Sequence, residues 1–356
     1  MLNEHVASSS AGTMTEVRRI LFINVTRIGD TLLSVPALRA IAKAYPDARI
    51  DCLGHPKRIE VLANLSYVSS VGGITKKNAL FRGWLDCLSG RHSYDLAFVF
   101  GFDEPLVAYA LRVSCKVVAF RQKNENLNHK LFRLVEVPPF QSEHAVNQLL
   151  HLPLAVGIQS AGFRLDYRVT KDESAAARQR LVLAMSGDAS PLIGLQVASF
   201  PTKAYRDWPI EHFIQLVDAI RCQWPNAYFL IFGGSEEKER TERLADYLGS
   251  AGTLYAGRLS LRETVAMMSL TDIYVGVDTG PTHLMSALDI PMIGLYHCHS
   301  PSHLIGPLEH PKAFLVDHPR ADGSCSIETP MAEISVETVL GRLTEALTKF
   351  PPKFRS

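Results

Sequence analysis

The sharpest chemical feature of the chain is the segment Val275 to His283, in which an apolar run ends in Asp278-Thr279-Gly280 and leads into a predicted helix. Backbone N–H groups at a helix start, beside the small residues Thr279 and Gly280, form a site for a phosphate or a pyrophosphate. Asp278 and Thr279 are equally the residue types that cap a helix after a strand. Both interpretations stay open at this point.

A lone carboxylate, Asp30, follows the apolar run Ile20 to Val25. Gly29 is the one glycine of the turn Thr26 to Asp30, so the turn is not the GxGxxG motif that would predict a dinucleotide site. A carboxylate at a strand end and near a helix start can accept a proton from a hydroxyl group. The alternative role of Asp30 is to cap a helix that begins near Thr31.

Two cations, Lys203 and Arg206, lie in the loop Ala198 to Pro209. They could neutralise a departing diphosphate, because negative charge builds on the leaving oxygen in the transition state. The alternative is solvated surface charge.

A glycine turn with acidic residues occupies Phe232 to Glu239. A carboxylate there either complements the helix dipole or binds a sugar hydroxyl.

The composition bounds the class of protein. With 356 residues the chain is long enough for two domains. The net charge of +1 gives no reason to expect nucleic-acid binding. Residues 1–160, however, carry 18 basic and 13 acidic side chains, a net charge of +5, and residues 161–356 carry −4. The first half is therefore where we expect an anionic partner.

The cysteines predict a reduced, cytoplasmic protein. Six cysteines without a CxxC pair or regular spacing are typical of free thiols. Residues 297–299 (His-Cys-His) with His303 come nearest to a metal cluster, but they lack the spacing of structural zinc sites, and we predict no metal.

No apolar run reaches the roughly 18 residues that a membrane span needs. We expect a soluble protein with a disordered tail at residues 1–16.

Alternating strands and helices must position these residues. Apolar, β-rich runs predict strands at Ile20–Val25, Arg49–Leu53, Leu96–Phe100, Val117–Phe120, Leu192–Val197, Tyr228–Phe232, Ile273–Val277 and Met292–Leu295. A helical pattern, Thr31 to Tyr45, follows the first strand, and a closing helix is predicted at Ile334 to Leu347. The pattern predicts an α/β protein with two doubly wound, Rossmann-like domains, residues 17–168 and 169–356, and ligands at the carboxyl ends of the strands.

Taken in this order, the four segments resemble the glycosyltransferase family 9 heptosyltransferases, and the resemblance spans nearly the whole chain from Ile20. It implies a GT-B fold whose first domain binds the acceptor and whose second binds a nucleotide sugar across a cleft. It also implies an inverting transfer of heptose from ADP-L-glycero-β-D-manno-heptose to the lipopolysaccharide inner core, without a cofactor. The alternatives are a relative that uses another nucleotide sugar or another acceptor such as capsule or protein, and a GT-B nucleotide-sugar binder or epimerase that transfers nothing.

The resemblance also implies roles for individual residues. Asp30 matches the catalytic base of the family. The donor-binding positions that it indicates are Thr202, Lys203, Arg206, Glu237, Asp278, Thr279, Gly280 and His283. Arg206 stands where the family commonly has a lysine, so either Arg206 or Lys203 faces the phosphates, and Glu236 fits nearly as well as Glu237.

An anionic acceptor of the Kdo-lipid A type would meet the basic first domain. The candidate acceptor-binding cations are Arg27, Arg121, Lys123, Lys130 and Arg133. Each of them alone is typical of a solvated surface charge. Such an acceptor also implies a peripheral contact with the inner face of the inner membrane, without an inserted helix.

Overall fold

The computed structural model describes residues 17–88, 94–139, 141–185, 189–321 and 323–353. The predicted tail, residues 1–16, lies outside this part of the chain. Among the described helices, none has the length and apolar character that crossing a bilayer requires.

Two six-stranded parallel sheets form the framework. The first contains β1 (Arg19–Asn24), β2 (Arg49–Gly54), β3 (Ser70–Gly73), β4 (Tyr94–Phe100), β5 (Ser114–Phe120) and β6 (Arg133–Val135). The second contains β7 (Leu192–Gln196), β8 (Tyr228–Phe232), β9 (Gly252–Leu254), β10 (Ile273–Val277), β11 (Met292–Tyr296) and β12 (Ala313–Asp317). Their strand orders are β3-β2-β1-β4-β5-β6 and β12-β11-β10-β7-β8-β9.

Helices connect the strands and cover the sheets. Those of the first half are α1 (Ile28–Leu33), α2 (Val35–Ala44), α3 (Ala79–Leu88), α4 (Glu104–Val113), α5 (Glu125–Asn128), α6 (Ala145–Leu154) and α7 (Lys171–Ala184). Those of the second are α8 (Ile210–Gln223), α9 (Lys238–Leu248), α10 (Leu261–Met268), α11 (Gly280–Ser286), α12 (Ser302–Ile305) and α13 (Val336–Lys349). Short 3₁₀ helices occupy Ile59–Leu62, Pro201–Arg206, Ser235–Glu237, Gly249–Ala251 and Met331–Glu333.

The central strands are apolar because both faces of each sheet are covered. In β1, Leu21 and Ile23 pack into one core cluster while Ile20 and Phe22 pack into another, so both faces are buried. All five residues of β10 are buried as well. Continuous apolar strands of this kind are typical of a parallel sheet between two layers of helices. The structure confirms the predicted α/β architecture of two doubly wound sheets.

The sequence prediction missed the four edge strands β3, β6, β9 and β12. None of these is fully buried, and β3 and β9 each contain glycine, so they lack the apolar run that identifies a central strand. The predicted helix from Thr31 to Tyr45 is in fact two helices, α1 and α2, separated at Ser34. The Ser34 hydroxyl donates to the Thr31 carbonyl and accepts from the Asn24 side-chain amide, and a bond to a residue ten positions away is not visible in a local pattern.

The carboxyl ends of the two sheets face each other through α1 and α11. A Cβ atom added to Gly29 would lie 2.5 Å from His283 Cδ2, and one added to Gly280 would lie 3.3 Å from Ile28 Cβ. Such an approach needs the absence of a side chain at Gly29, so glycine is required there. The turns after β1 and β10 are therefore brought to one place between the sheets.

Candidate active site

The turn after β1 presents Asp30 to solvent. Helix α1 begins at Ile28 with Arg27 at the N-cap position, so Asp30 lies within the first turn and its carboxylate is exposed. The alternative in which Asp30 caps the helix is therefore wrong. An exposed carboxylate in this position can accept a proton from a hydroxyl group.

A buried asparagine, Asn24, holds this turn from below. Its side-chain amide donates to Ser34 Oγ at 2.9 Å and lies 3.5 Å from the Asp30 carbonyl, and its Oδ1 accepts from the Thr26 hydroxyl at 2.5 Å. Sequence reasoning missed Asn24 as a positioning residue. The available signal was an amide at the end of an otherwise apolar strand, where a buried polar group needs partners.

On the opposite side, Asp278 joins Arg206 and His283. The Asp278 side chain is 1% exposed, and its Oδ2 lies 2.5 Å from Arg206 Nη1, an ion pair without the alignment of a hydrogen bond. Asp278 Oδ1 lies 3.5 Å from His283 Nε2. A buried carboxylate is costly unless it is paired, so Asp278 and Arg206 hold each other in place.

The backbone of the turn after β10 is arranged without side-chain caps. Thr279 occupies the N-cap position of α11 in extended geometry, as the helix-capping interpretation expects, but its side chain makes no cap hydrogen bond. The Thr282 hydroxyl instead donates to the Val277 carbonyl and lies 2.9 Å from the Tyr274 hydroxyl. Helix α11 has seven residues, so positive charge for an anion must come mainly from side chains.

Arg206 is the best-organised cation of the loop after β7. It lies at the end of a 3₁₀ helix, and its Nη2 donates to Ser300 Oγ at 3.1 Å while its Nε donates to the Tyr205 hydroxyl at 3.2 Å. Two cations lie over the Tyr205 ring, with Arg206 Cζ at 5.4 Å and Lys203 Nζ at 5.6 Å from its centroid. Lys203 and Arg206 are therefore brought to one aromatic platform, while Thr202 is exposed beside them. Ser300 carried no sequence signal.

Glu237 organises the turn after β8. Its carboxylate accepts a short hydrogen bond from the Gly234 backbone N–H, and Gly233 has a φ of +155°. Burial raises the pKa of Glu237 above its ordinary value. Glu236 is exposed. The turn lies at the same carboxyl edge of the second sheet as Asp278, two strands away in the order β10-β7-β8.

The candidate acceptor-binding cations differ in whether other residues of the protein already bind their charged groups. Arg27 is exposed at the N-cap position of α1, three residues before Asp30, and Lys123 and Lys130 are also exposed. Arg121, by contrast, binds the carboxylates of Glu136 and Glu125, with Nη2 at 2.7 Å and Nη1 at 2.9 Å, and these partners raise the pKa of its guanidinium. Arg133 stacks over the Phe132 ring at 4.4 Å. The charge of Arg121 is thus already matched within the protein.

The cysteine prediction was wrong for one pair. Cys298, just after β11, forms a disulfide with Cys325, whereas Cys52, Cys87, Cys115 and Cys222 are free. The partners are 27 residues apart in sequence, and the fold brings them together.

The same place is the one grouping of metal-ligand types within the described residues, formed by His297, Cys298 and Cys325. His297 Nδ1 accepts from the His299 backbone N–H at 3.0 Å, and its Nε2 lies 2.8 Å from the Thr329 carbonyl. With both ring nitrogens engaged and both sulfurs bonded, these residues in this arrangement do not fit a metal ion.

Comparison with known proteins gives the family context. The sequence model of glycosyltransferase family 9 (heptosyltransferase) matches residues 111–332. The chain is 20% identical over 346 residues to the lipopolysaccharide core heptosyltransferase OpsX of Haemophilus influenzae, with 92% of this chain and 96% of that protein covered.

Two solved structures have the same fold. A glycosyltransferase family 9 protein from Veillonella parvula superposes with a TM-score of 0.80 at 16% identity, covering 94% of this chain and 99% of that one. The ADP-heptose LPS heptosyltransferase II of Escherichia coli superposes with a TM-score of 0.77 at 19% identity, covering 93% and 99%. These likenesses confirm the predicted GT-B fold.

Proposed function

This chain belongs to glycosyltransferase family 9 (heptosyltransferase), and we propose that it transfers heptose from ADP-L-glycero-β-D-manno-heptose to an acceptor in the lipopolysaccharide inner core. Two proteins that this chain resembles support this donor and this acceptor: a lipopolysaccharide core heptosyltransferase and an ADP-heptose LPS heptosyltransferase. We place the enzyme in the cytoplasm, with its acceptor at the inner face of the inner membrane.

The proposal depends mainly on one observation: a carboxylate that can act as a base and a cation that can bind a diphosphate lie in turns that the fold brings together. An exposed carboxylate, Asp30, follows β1, and a cationic group anchored by Asp278 follows β10 and β7. The close approach of Gly29 to His283 brings the two turns together between the sheets. A base on one side and a diphosphate-stabilising cation on the other are what glycosyl transfer from a nucleoside diphosphate sugar requires.

The proposed reaction is a single displacement. Asp30 accepts the proton of the acceptor hydroxyl while that oxygen attacks the anomeric carbon of the heptose. The new bond forms as the bond from the anomeric carbon to the diphosphate oxygen breaks, which inverts the anomeric configuration. ADP leaves with the bonding electron pair, and the acceptor gains the heptose.

The donor is held from the second sheet in this proposal. Arg206 and Lys203 face the diphosphate and stabilise the charge that develops on it, so the mechanism uses no cofactor. Asp278 does not touch the phosphates, because like charges repel; it holds Arg206 and His283 in place. Thr202, Thr279 and Gly280 line the phosphate side, and Glu237 faces the sugar.

The acceptor is held from the first half of the chain. Arg27 begins the helix that carries Asp30, and this position favours a contact with a phosphate or carboxylate of the acceptor. Lys123, Lys130 and Arg133 form an outer set, and Arg121 contributes least because Glu136 and Glu125 already bind it. The proposed domain limits are residues 17–168 for the acceptor and 169–356 for the donor.

Calorimetric titration of the metal-free protein with ADP, UDP and GDP tests the donor assignment. We expect ADP to bind at least about tenfold more tightly than the other two, which is a difference of roughly 1.4 kcal/mol. The Asp30→Asn variant is the matched control and is expected to bind ADP like the wild type. A preference for UDP or GDP would contradict the ADP-heptose assignment while leaving the family intact.

A further inference from the structure

Helix α3 turns its large apolar residues outward. Leu80 is 46% exposed, Phe81 68%, Trp84 60%, Leu85 51% and Leu88 78%. A contiguous apolar patch of this kind on a folded protein marks an interaction surface.

The inner side of the same helix is built from small residues. Ala79 and Gly83 are buried, and a Cβ atom added to Gly83 would lie 3.3 Å from Tyr109 and from Arg112 on α4. The helix therefore lies close against α4 through its small residues. Its large side chains are therefore available to a partner outside this chain.

The five apolar side chains form one unbroken stripe. At about 100° per residue, positions 80, 81, 84, 85 and 88 fall within an arc of roughly 140°. The polar residues of the helix lie outside that arc, where Arg82 Nε donates to Asp86 Oδ2 at 3.2 Å. A stripe of this shape lies flat on an apolar phase, with its polar flank facing away.

Cations flank the stripe. Residues 75–88 contain Lys76, Lys77 and Arg82, of which Lys76 pairs with Asp103 and Arg82 with Asp86, so Lys77 is the cation that this segment offers to a partner. Arg112, on the neighbouring α4, stacks over the Trp84 ring at 5.5 Å. An apolar helix face with aromatic residues and flanking cations complements the negative headgroups of an anionic bilayer.

The stripe is too small to form a stable interface with a second copy of the chain. Its five exposed large side chains are far fewer than the roughly 20–30 residues that each partner contributes to a stable protein interface. Insertion into a bilayer needs no complementary protein surface.

We propose that the exposed face of α3 is a docking surface for an anionic phospholipid bilayer. The helix begins just after the carboxyl end of β3, which is the same sheet edge that carries Asp30 after β1. An ion pair between Lys76 and Asp103 joins this end of the helix to the turn after β4, where Phe102 is also exposed. Docking here turns that edge toward the lipid, and it rests on the proposed function only in that the acceptor is lipid-linked.

The test is binding to vesicles of phosphatidylethanolamine and phosphatidylglycerol, measured by co-sedimentation and by tryptophan fluorescence. Of the three tryptophans, Trp84 is exposed, Trp208 is fully buried and Trp224 is partly buried at the end of α8. We expect the wild type to sediment with the vesicles, its emission to shift to shorter wavelength, and brominated lipids to quench it. The Trp84→Phe variant should still sediment within about threefold of the wild type but lose the quenching.

A matched pair of variants distinguishes vesicle binding through α3 from nonspecific adsorption by exposed apolar residues elsewhere. Phe81→Glu with Leu85→Glu should lower vesicle binding at least tenfold, whereas Val182→Glu with Leu183→Glu on α7, at residues that are 74% and 83% exposed, should leave it unchanged. Equal binding by the two variants, quenching that survives Trp84→Phe, or no sedimentation of the wild type overturns the proposal. A wild-type dimer in light scattering that the α3 variant dissociates also overturns it, in favour of a second copy.

These measurements contain no nucleotide and no acceptor, so they fail independently of the proposed function. If vesicle binding is absent while ADP binds and a delipidated acceptor is glycosylated, the docking surface alone is refuted. If the protein docks as expected but binds no ADP, the docking surface stands and the proposed donor does not.

Discussion

Arg206 has two electrostatic roles in the proposed site. It is the partner of a buried carboxylate, Asp278, and it also faces the place where we put the donor diphosphate. A lysine has a single charged nitrogen, but the guanidinium can bind Asp278 and Ser300 through separate nitrogens. We therefore expect the residue at this position to affect both the local structure and the affinity for phosphate.

Replacing Arg206 with alanine is expected to weaken ADP binding by roughly 10- to 100-fold, since a charge-assisted contact contributes about 1.5–3 kcal/mol. Adenosine, which lacks the diphosphate, should bind the variant almost as it binds the wild type. Calorimetric titration of both ligands measures the difference.

Two further variants serve as controls for Arg206. Arg206→Lys keeps the charge and should fall between the wild type and the alanine variant, and Lys203→Ala shows how much the neighbouring cation contributes. If Arg206→Ala loses affinity for ADP and adenosine equally, the residue supports only the loop.

At the scale of elements, the contact between α1 and α11 decides whether the two halves of the site meet. Both helices are short, and they can approach because Gly29 has no side chain to collide with His283. This contact places Asp30 on one side and Asp278 on the other side of the same space. We therefore expect a small change in this contact to alter catalysis more than it alters either sheet.

The Gly29→Ala variant is expected to lower kcat/KM by about 10- to 100-fold, because the added Cβ would lie 2.5 Å from His283 Cδ2 and a shift of about 1 Å in a catalytic site costs up to that much. The control is Gly341→Ala on α13, where nothing lies within 4 Å of the added atom. The control should keep full activity and gain up to about 1 kcal/mol of stability. Equal activity of Gly29→Ala and the wild type in a steady-state assay would show that the contact does not matter.

The sequence predicted the elements that place Asp30 and Asp278, because central strands of a parallel sheet are continuous apolar runs and the turns after them are polar. It did not predict β3 or β9, which are short and half-exposed, nor the break at Ser34, which depends on Asn24. Helix α3 was also missed, since its large apolar residues face outward and its buried positions are small. The partners of Arg206 were invisible for a different reason: Ser300 lies 94 residues away in sequence, and only the fold brings it near.

At the scale of the whole molecule, the disulfide between Cys298 and Cys325 joins two segments of the second half. One is the turn after β11 that contains His297 and Ser300, and the other precedes the final helix. His297 lies edge-on to the Tyr205 ring at 5.1 Å. The disulfide therefore supports, through His297 and Tyr205, the loop that carries Arg206.

Replacing both Cys298 and Cys325 with serine should lower the free energy of unfolding of the oxidised protein by about 3–4 kcal/mol, the amount that the chain-entropy model gives for a loop of this length. Denaturant unfolding with and without reductant measures it, and reductant should bring the wild type to the level of the double variant. Cys222→Ser, which removes a free exposed thiol, is the control and should change nothing. A wild-type free energy of unfolding that does not change with reductant would argue against the disulfide.

The role of Asp30 as the base in heptose transfer is tested most directly by the transfer reaction of the wild type beside that of Asp30→Asn, with ADP-heptose and a Kdo-lipid A acceptor. We expect the wild type to release ADP and to add one heptose to the acceptor, as followed by mass spectrometry. Asp30→Asn should lower kcat by about 10²- to 10⁴-fold, which is the contribution of a general base, while binding ADP as the wild type does. Transfer by Asp30→Asn at the wild-type rate would contradict the assignment of Asp30 as the base, and no transfer by the wild type would contradict the proposed substrates.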